Sequence, residues 1–285
     1  MALTSRTSSR IQDDILSEIE GGSSDAFRRR LTVVPNVSLL EEQSVEAAAK
    51  QIEGEKALRL LVCLAGELHP EKSLAQVDMA KALHTFQLNT LGHLMFYKHF
   101  VPLIPTSREF AKIKEQWITP GGNDPARGLV GESNGVCLSL SARVGSIGDN
   151  GKGGCSKAAL NQVVRTLDHE LSSGKNQLEV NSRMLVDLFS PLSHRPCHIV
   201  STNPVGEGCP EMTKLLAAVD PGTTITSFTR PIIGAKTPDP ANGVFSPDQA
   251  IEKMTGLLRK ARRSENAEHS YGGRFYDWKA EPVPW

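Results

Sequence analysis

Leu58-Arg59-Leu60-Leu61-Val62-Cys63-Leu64-Ala65-Gly66 is nearly all apolar and stops at glycine. A strand with one wet face alternates apolar and polar residues. A run without alternation marks a strand covered on both faces, as in a parallel sheet. Gly135-Val136-Cys137-Leu138-Ser139-Leu140-Ser141 has the same character, and Leu31 to Val37 reads as a shorter buried strand. Leu215 to Gly222 is expected to be the last strand, running into a turn. Helical periodicity fills the intervals: Leu39 to Ile52, then Leu74 to Ile104, with a break expected near Gly92 and a stop at Pro102 and Pro105. Ser156 to Leu171 carries Leu160, Val163, Val164, Leu167 and Leu171 on one face. Ser246 to Arg263 opens with an N-cap serine followed by proline. Strand and helix alternate, which implies right-handed crossovers and a doubly wound α/β fold with a parallel sheet. The 285 residues suit one such domain over 1–285.

Composition excludes several classes. Lys+Arg and Asp+Glu are both 32, so the formal net charge of +0 leaves no electrostatic footprint for nucleic acid or an anionic membrane. No stretch is long and apolar enough to span a bilayer, and Met1 to Arg6 lacks the apolar core of a signal peptide. Cys63, Cys137, Cys155, Cys197 and Cys209 form no C-x-x-C pair, which suits buried thiols in a reducing compartment, and the cytosol is the expectation. There is no G-x-x-x-x-G-K-[ST] for a P-loop and no G-x-S-x-G for a serine hydrolase, and Asp168-His169-Glu170 reads as a polar helix face.

In a doubly wound sheet, ligands sit at the carboxyl ends of the strands. The residues there are Asn36-Val37, Ala65-Gly66, Ser139 to Gly145 and Pro221 to Thr226. In order and spacing these segments resemble the short-chain dehydrogenase/reductase family, closest to its C-factor-like subgroup, over Ala2 to Trp285. Leu64-Ala65-Gly66 resembles the end of an N-N-A-G strand motif, and Phe86 to Gly92 the helix that carries the family's tetrad asparagine, here Asn89. Ser139 to Asn150 is similar to the serine-bearing loop, and Ser156 to Asn161 to the second half of the Y-x-x-x-K helix, with Lys157 as its lysine. Pro221 to Thr226 resembles the P-G-x-x-x-T turn, and Gly273 to Trp278 with Pro284-Trp285 the subgroup's ending.

The resemblance implies a Rossmann-type sheet and hydride transfer between NADP or NAD and a small carbonyl or alcohol substrate. It assigns Asn89, Ser141 and Lys157 to catalysis, with Ser139 and Ser146 as alternative serines. It assigns Arg6, Asn36, Val37, Ala65, Gly66, Lys157, Pro221, Gly222 and Thr226 to the cofactor. Arg6 stands where an arginine pairs with a 2′-phosphate, which tilts the expectation towards NADP, although a solvated terminal arginine fits as well. Phe228 and Ile232 suggest an apolar substrate pocket, and the long helices would allow a homo-oligomer.

Three departures interrupt the pattern. Gly153, not tyrosine, stands four residues before Lys157, and glycine has no proton to transfer. Cys155 is too close to Lys157 to replace it and reads as a small buried thiol. No T-G-x-x-x-G-x-G fingerprint precedes a helix, so the first strand-helix unit, central in the order 3-2-1-4-5-6, is missing. Residues 175–212 form an irregular insertion with Pro191, Pro196, Pro204 and Pro210, in which His198 to Thr202 is either a short strand or loop. Departures at block boundaries are the pattern of an alternative splice form or an imperfect gene model. They leave open a catalytically inactive, Rossmann-like binding protein.

Overall fold

The computed structural model describes residues 2–3, 13, 17, 29, 31–52, 58–69, 73–105, 109–110, 112, 128–130, 134–149, 154–172, 213–226, 229–261 and 272–285. Gly153, Arg6, Cys197, Cys209, Phe228 and the 175–212 segment lie outside these residues.

The strands are β1 (Ala2–Leu3), β2 (Val33–Val34), β3 (Leu60–Cys63), β4 (Asn134–Leu140), β5 (Thr213–Val219), β6 (Thr223–Thr224), β7 (Val244–Phe245) and β8 (Arg274–Tyr276). The helices are α1 (Glu42–Lys50), α2 (Met79–Phe86), α3 (His93–Phe100), α4 (Cys155–Ser172), α5 (Arg230–Ile233) and α6 (Pro247–Lys260). The main sheet has the order β3-β4-β5-β8, and every pairing in it is parallel.

The unbroken apolar runs have the physical meaning expected of them. Side chains alternate across a strand, so both faces of a doubly covered sheet must be apolar. Leu61, Cys63, Cys137, Ala218 and Phe275 belong to one buried cluster with Val45 and Ala48 of α1, Phe96 and Phe100 of α3, and Leu160 and Val164 of α4. Val136, Leu138, Ala217, Val219 and Tyr276 belong to the other, with Leu257 and Leu258 of α6. Ser246 caps α6 in a reciprocal capping box with Gln249, as its position before Pro247 predicts.

The strands are divided at the place where the resemblance puts the fingerprint unit. β1 and β2 pair in parallel as a sheet of their own, and among the described residues no strand joins them to β3. The two parts are connected by packing instead: Val34 and Val37 share the cluster of Leu61 and Cys63.

Three expectations are corrected. The last strand is β8, not the 215–222 run; three residues are too few to show a period. Gly92 does not break its helix: its φ of -60° and ψ of -42° are helical, and the chain passes through a π-helical turn at Gln87–Gly92. Glycine is required there for packing, because a Cβ would come 2.9 Å from that of Leu39. Cys155 is exposed, not buried, since it opens α4 at the surface.

Candidate functional site

Asn89 lies in the π-helical turn between α2 and α3, 2% exposed, and both its amide nitrogen and its oxygen are bonded. Its Oδ1 accepts from Glu67 N at 2.9 Å, while its Nδ2 donates to Glu67 O at 2.9 Å and to Ser156 Oγ at 3.1 Å. One side chain therefore ties the loop after β3 to the first turn of α4. Thr90 reinforces the tie, donating to Ser156 O at 2.8 Å.

Lys157 follows Ser156, and its Nζ donates to Leu140 O at the end of β4, 2.7 Å away. A Cβ built on Gly66 would lie 3.2 Å from Asn89 Oδ1 and 3.4 Å from Lys157 Nζ, so these three residues meet at one point. Glycines set the approach of α4. A Cβ on Gly145 would fall 2.8 Å from the Lys157 backbone, and one on Gly154, at φ +102°, only 2.0 Å from Val144 O. Burial lowers the pKa of Lys157 to about 8, partly opposed by the Cys63 thiol, which burial itself pushes up to about 12.

Ser141 is buried and its Oγ donates to Asn161 at 2.7 Å. Of its alternatives, Ser146 donates to Pro284 O at 2.5 Å, and Ser139 is fully enclosed. Each hydroxyl is thus committed to an internal partner.

The next strand end carries the Pro221-Gly222 turn. Leu140 is paired with Val219, so the turn begins beside the carbonyl that receives Lys157. Asp220 Oδ1 accepts from Gly222 N at 3.2 Å. Burial raises the Asp220 pKa to about 6, against the backbone hydrogen bond and Arg143. Gly222, at φ +75°, has Phe245 2.7 Å from where a Cβ would stand. Thr226 N donates to Thr229 Oγ1 at 3.0 Å. Asn36 adopts φ +59° and is exposed, while Val37 is 7% exposed in the core.

Sequence reading missed the layer beneath. His93 contacts Ala65 O at 2.9 Å through Nε2 and Ser139 Oγ at 2.9 Å through Nδ1, and Tyr97 OH meets the same Ser139 Oγ. A carbonyl only accepts, so Nε2 carries the proton and Nδ1 accepts from Ser139, which in turn accepts from Tyr97. Burial lowers the His93 pKa to about 4, with the Lys157 charge acting in the same direction, which keeps the ring neutral. The available signal was the spacing Asn89, His93, Tyr97, polar groups one helical turn apart on one face.

Loop and helix also bring Glu67, His69 and His84 together. His84 Nδ1 is 2.6 Å and His69 Nε2 3.3 Å from Glu67 Oε1, and Thr85 Oγ1 donates to the same oxygen at 3.3 Å. Burial would raise the Glu67 pKa, but the hydrogen bond and charge of His84, with His69 and Thr85, lower it overall.

No family model and no curated protein matches the sequence. Solved structures do match. Carbonyl reductase Sniffer of D. melanogaster aligns at TM-score 0.62 and 18% identity, over 99% of this chain and 87% of its own. An NADPH-bound carbonyl reductase from chicken fatty liver aligns at TM-score 0.58 and 18% identity, over 100% and 86%. A carbonyl reductase from Pseudomonas aeruginosa PAO1 aligns at TM-score 0.52 and 16% identity, over 100% and 87%. At such identity the likeness is one of architecture: this chain has the α/β Rossmann-type fold of the short-chain dehydrogenase/reductases.

Proposed function

We propose that this chain is a nicotinamide-dependent oxidoreductase of the short-chain dehydrogenase/reductase type, with NADP favoured over NAD and a small carbonyl or alcohol as substrate. The observation that carries the reading is the meeting of Gly66, Asn89 and Lys157 Nζ at the carboxyl edge of the sheet. A nicotinamide ribose fits such a corner: the Lys157 ammonium is a donor for its hydroxyls, and Gly66 leaves room for close approach. The pyrophosphate half is fitted less well, since no glycine-rich fingerprint occurs in the sequence.

The bound cofactor would supply or accept the hydride; everything else falls to the chain. Asn89 fixes the loop after β3 and the start of α4, and so holds Lys157 in place. Among the described tyrosines, Tyr97 and Tyr276 are 1% and 4% exposed, and Tyr97 is bound to Ser139. At this corner the Lys157 ammonium, brought towards neutrality by burial, is a group able to give the proton. Losing a positioned tyrosine costs general acid catalysis about 10²–10⁴-fold, so turnover should be slow.

Gly153 in place of the expected tyrosine, and the missing fingerprint, favour a second reading: a Rossmann-like protein without catalysis. Titration of the purified chain with NADPH and NADH, followed by cofactor fluorescence and then by oxidation with a model ketone, separates the two. Saturable binding with ketone-dependent oxidation supports the oxidoreductase. Binding without turnover favours the second reading, and no binding of either nucleotide overturns the first.

A further inference from the structure

The geometry points to a divalent transition-metal site, of the kind zinc occupies, formed by Glu67, His69 and His84 beside the dinucleotide corner. One ligand atom from each of the three residues lies within 4.8 Å of the other two. Tetrahedral zinc ligands, at bonds of roughly 2.0–2.1 Å, stand only about 3.4 Å apart, so small side-chain rotations close the set. Two imidazoles and one carboxylate are a donor set suited to zinc and its neighbours. Magnesium and calcium prefer all-oxygen shells.

Two of the three ligands are carried on fixed elements. Both backbone polar groups of Glu67 are clasped by Asn89, and His84 is on α2 five residues before Asn89 in the chain. Thr85 donates to the carboxylate at 3.3 Å, as an outer partner that orients a ligand does. His69 and His84 are partly or well exposed, so an ion has a path from solvent, and water would take the fourth position.

Without metal, the 2.6 Å contact has a hydrogen between His84 Nδ1 and Glu67 Oε1. Binding at Nδ1 moves that hydrogen to Nε2, or releases it to solvent when the ring starts protonated.

Titration calorimetry of the chelator-treated full chain with ZnCl₂ and with MgCl₂ tests the site, alongside His69→Ala, His84→Ala and Glu67→Gln. The expected result is one saturable Zn²⁺ site, no comparable Mg²⁺ binding, and at least a tenfold loss in each variant. Loss in any one variant that keeps its far-ultraviolet circular dichroism is sufficient. Co²⁺ should give visible d–d absorption without a thiolate charge-transfer band. Absence of Zn²⁺ binding, affinity unchanged in all three variants, or a thiolate band from the exposed Cys155 or another cysteine would overturn the assignment.

Discussion

The two neighbouring corners of the carboxyl edge are built differently. At the ends of β3 and β4, side chains from distant parts of the chain hold the backbone: Asn89 grips Glu67 and Ser156, His93 grips Ala65, and Lys157 grips Leu140. At the ends of β5 and β8 the side-chain bonds are local. Asp220 holds Gly222, and Asp277 Oδ1 accepts from Lys279 N at 2.8 Å and Glu281 N at 3.0 Å. The first corner is held by side chains from across the fold; in the second, side chains brace only their own turns, and backbone bonds such as Thr223 N to Gly243 O and Asp220 N to Tyr276 O, both 2.8 Å, tie those turns to the rest of the chain. Both nevertheless hold an ionisable group that burial shifts towards its neutral form.

The sharpest way to break this contrast is to move α4. Gly154→Ala adds left-handed strain to a collision with Val144 O, and should cost about 3–5 kcal/mol in chemical denaturation. A loss below about 1 kcal/mol would mean that the α4 entrance is not rigid. Asn89→Ala comes next. It leaves both polar groups of Glu67 without their partner in a partly buried loop and should cost about 2–4 kcal/mol.

Lys157→Met should act in the opposite direction. Folding lowers the Lys157 pKa from 10.5 to about 8, so the native state binds fewer protons across that window. Stability of the wild type therefore rises as pH climbs from about 8 to 10.5, and the burial cost is fully present below 8. With the Leu140 hydrogen bond lost, the variant should gain about 2 kcal/mol at pH 7 and lose that pH dependence. The smallest effect is expected at the local corner. Asp220 titrates near 6 instead of 3.8, so ionising it lowers stability as pH rises between these values. Asp220→Asn keeps an acceptor for Gly222 and should gain about 1–2 kcal/mol above pH 6 and nothing below pH 4. Parallel denaturation curves at three pH values check both.

What could be read from the sequence follows the same division. Unbroken runs such as Leu58 to Gly66 revealed the covered strands, because burial on both faces removes alternation. Gly66 was recognisable in a motif at a strand end, and Asn89 and Lys157 in fragments of helix motifs. The three-residue β8 lay hidden in a motif, and Gly92 looked like a helix break when its real constraint is the Leu39 side chain, far away in sequence. His93, Ser139 and Tyr97 form a network only once α3 is laid on β4, and the cluster of Glu67, His69 and His84 needs the loop after β3 folded against α2. The helical spacing of Asn89, His93 and Tyr97 marks their shared face but not the strand it meets, and the residues of the second cluster share no period at all.

In the proposed function, the corner of Gly66, Asn89 and Lys157 receives the ribose of a nicotinamide cofactor. Fluorescence titration of NADPH against the wild type and Lys157→Met in parallel tests it most directly. Saturable binding by the wild type is expected, with at least a tenfold weaker affinity in the variant even though the variant is the more stable protein. Equal affinities, or no binding by the wild type, would contradict it.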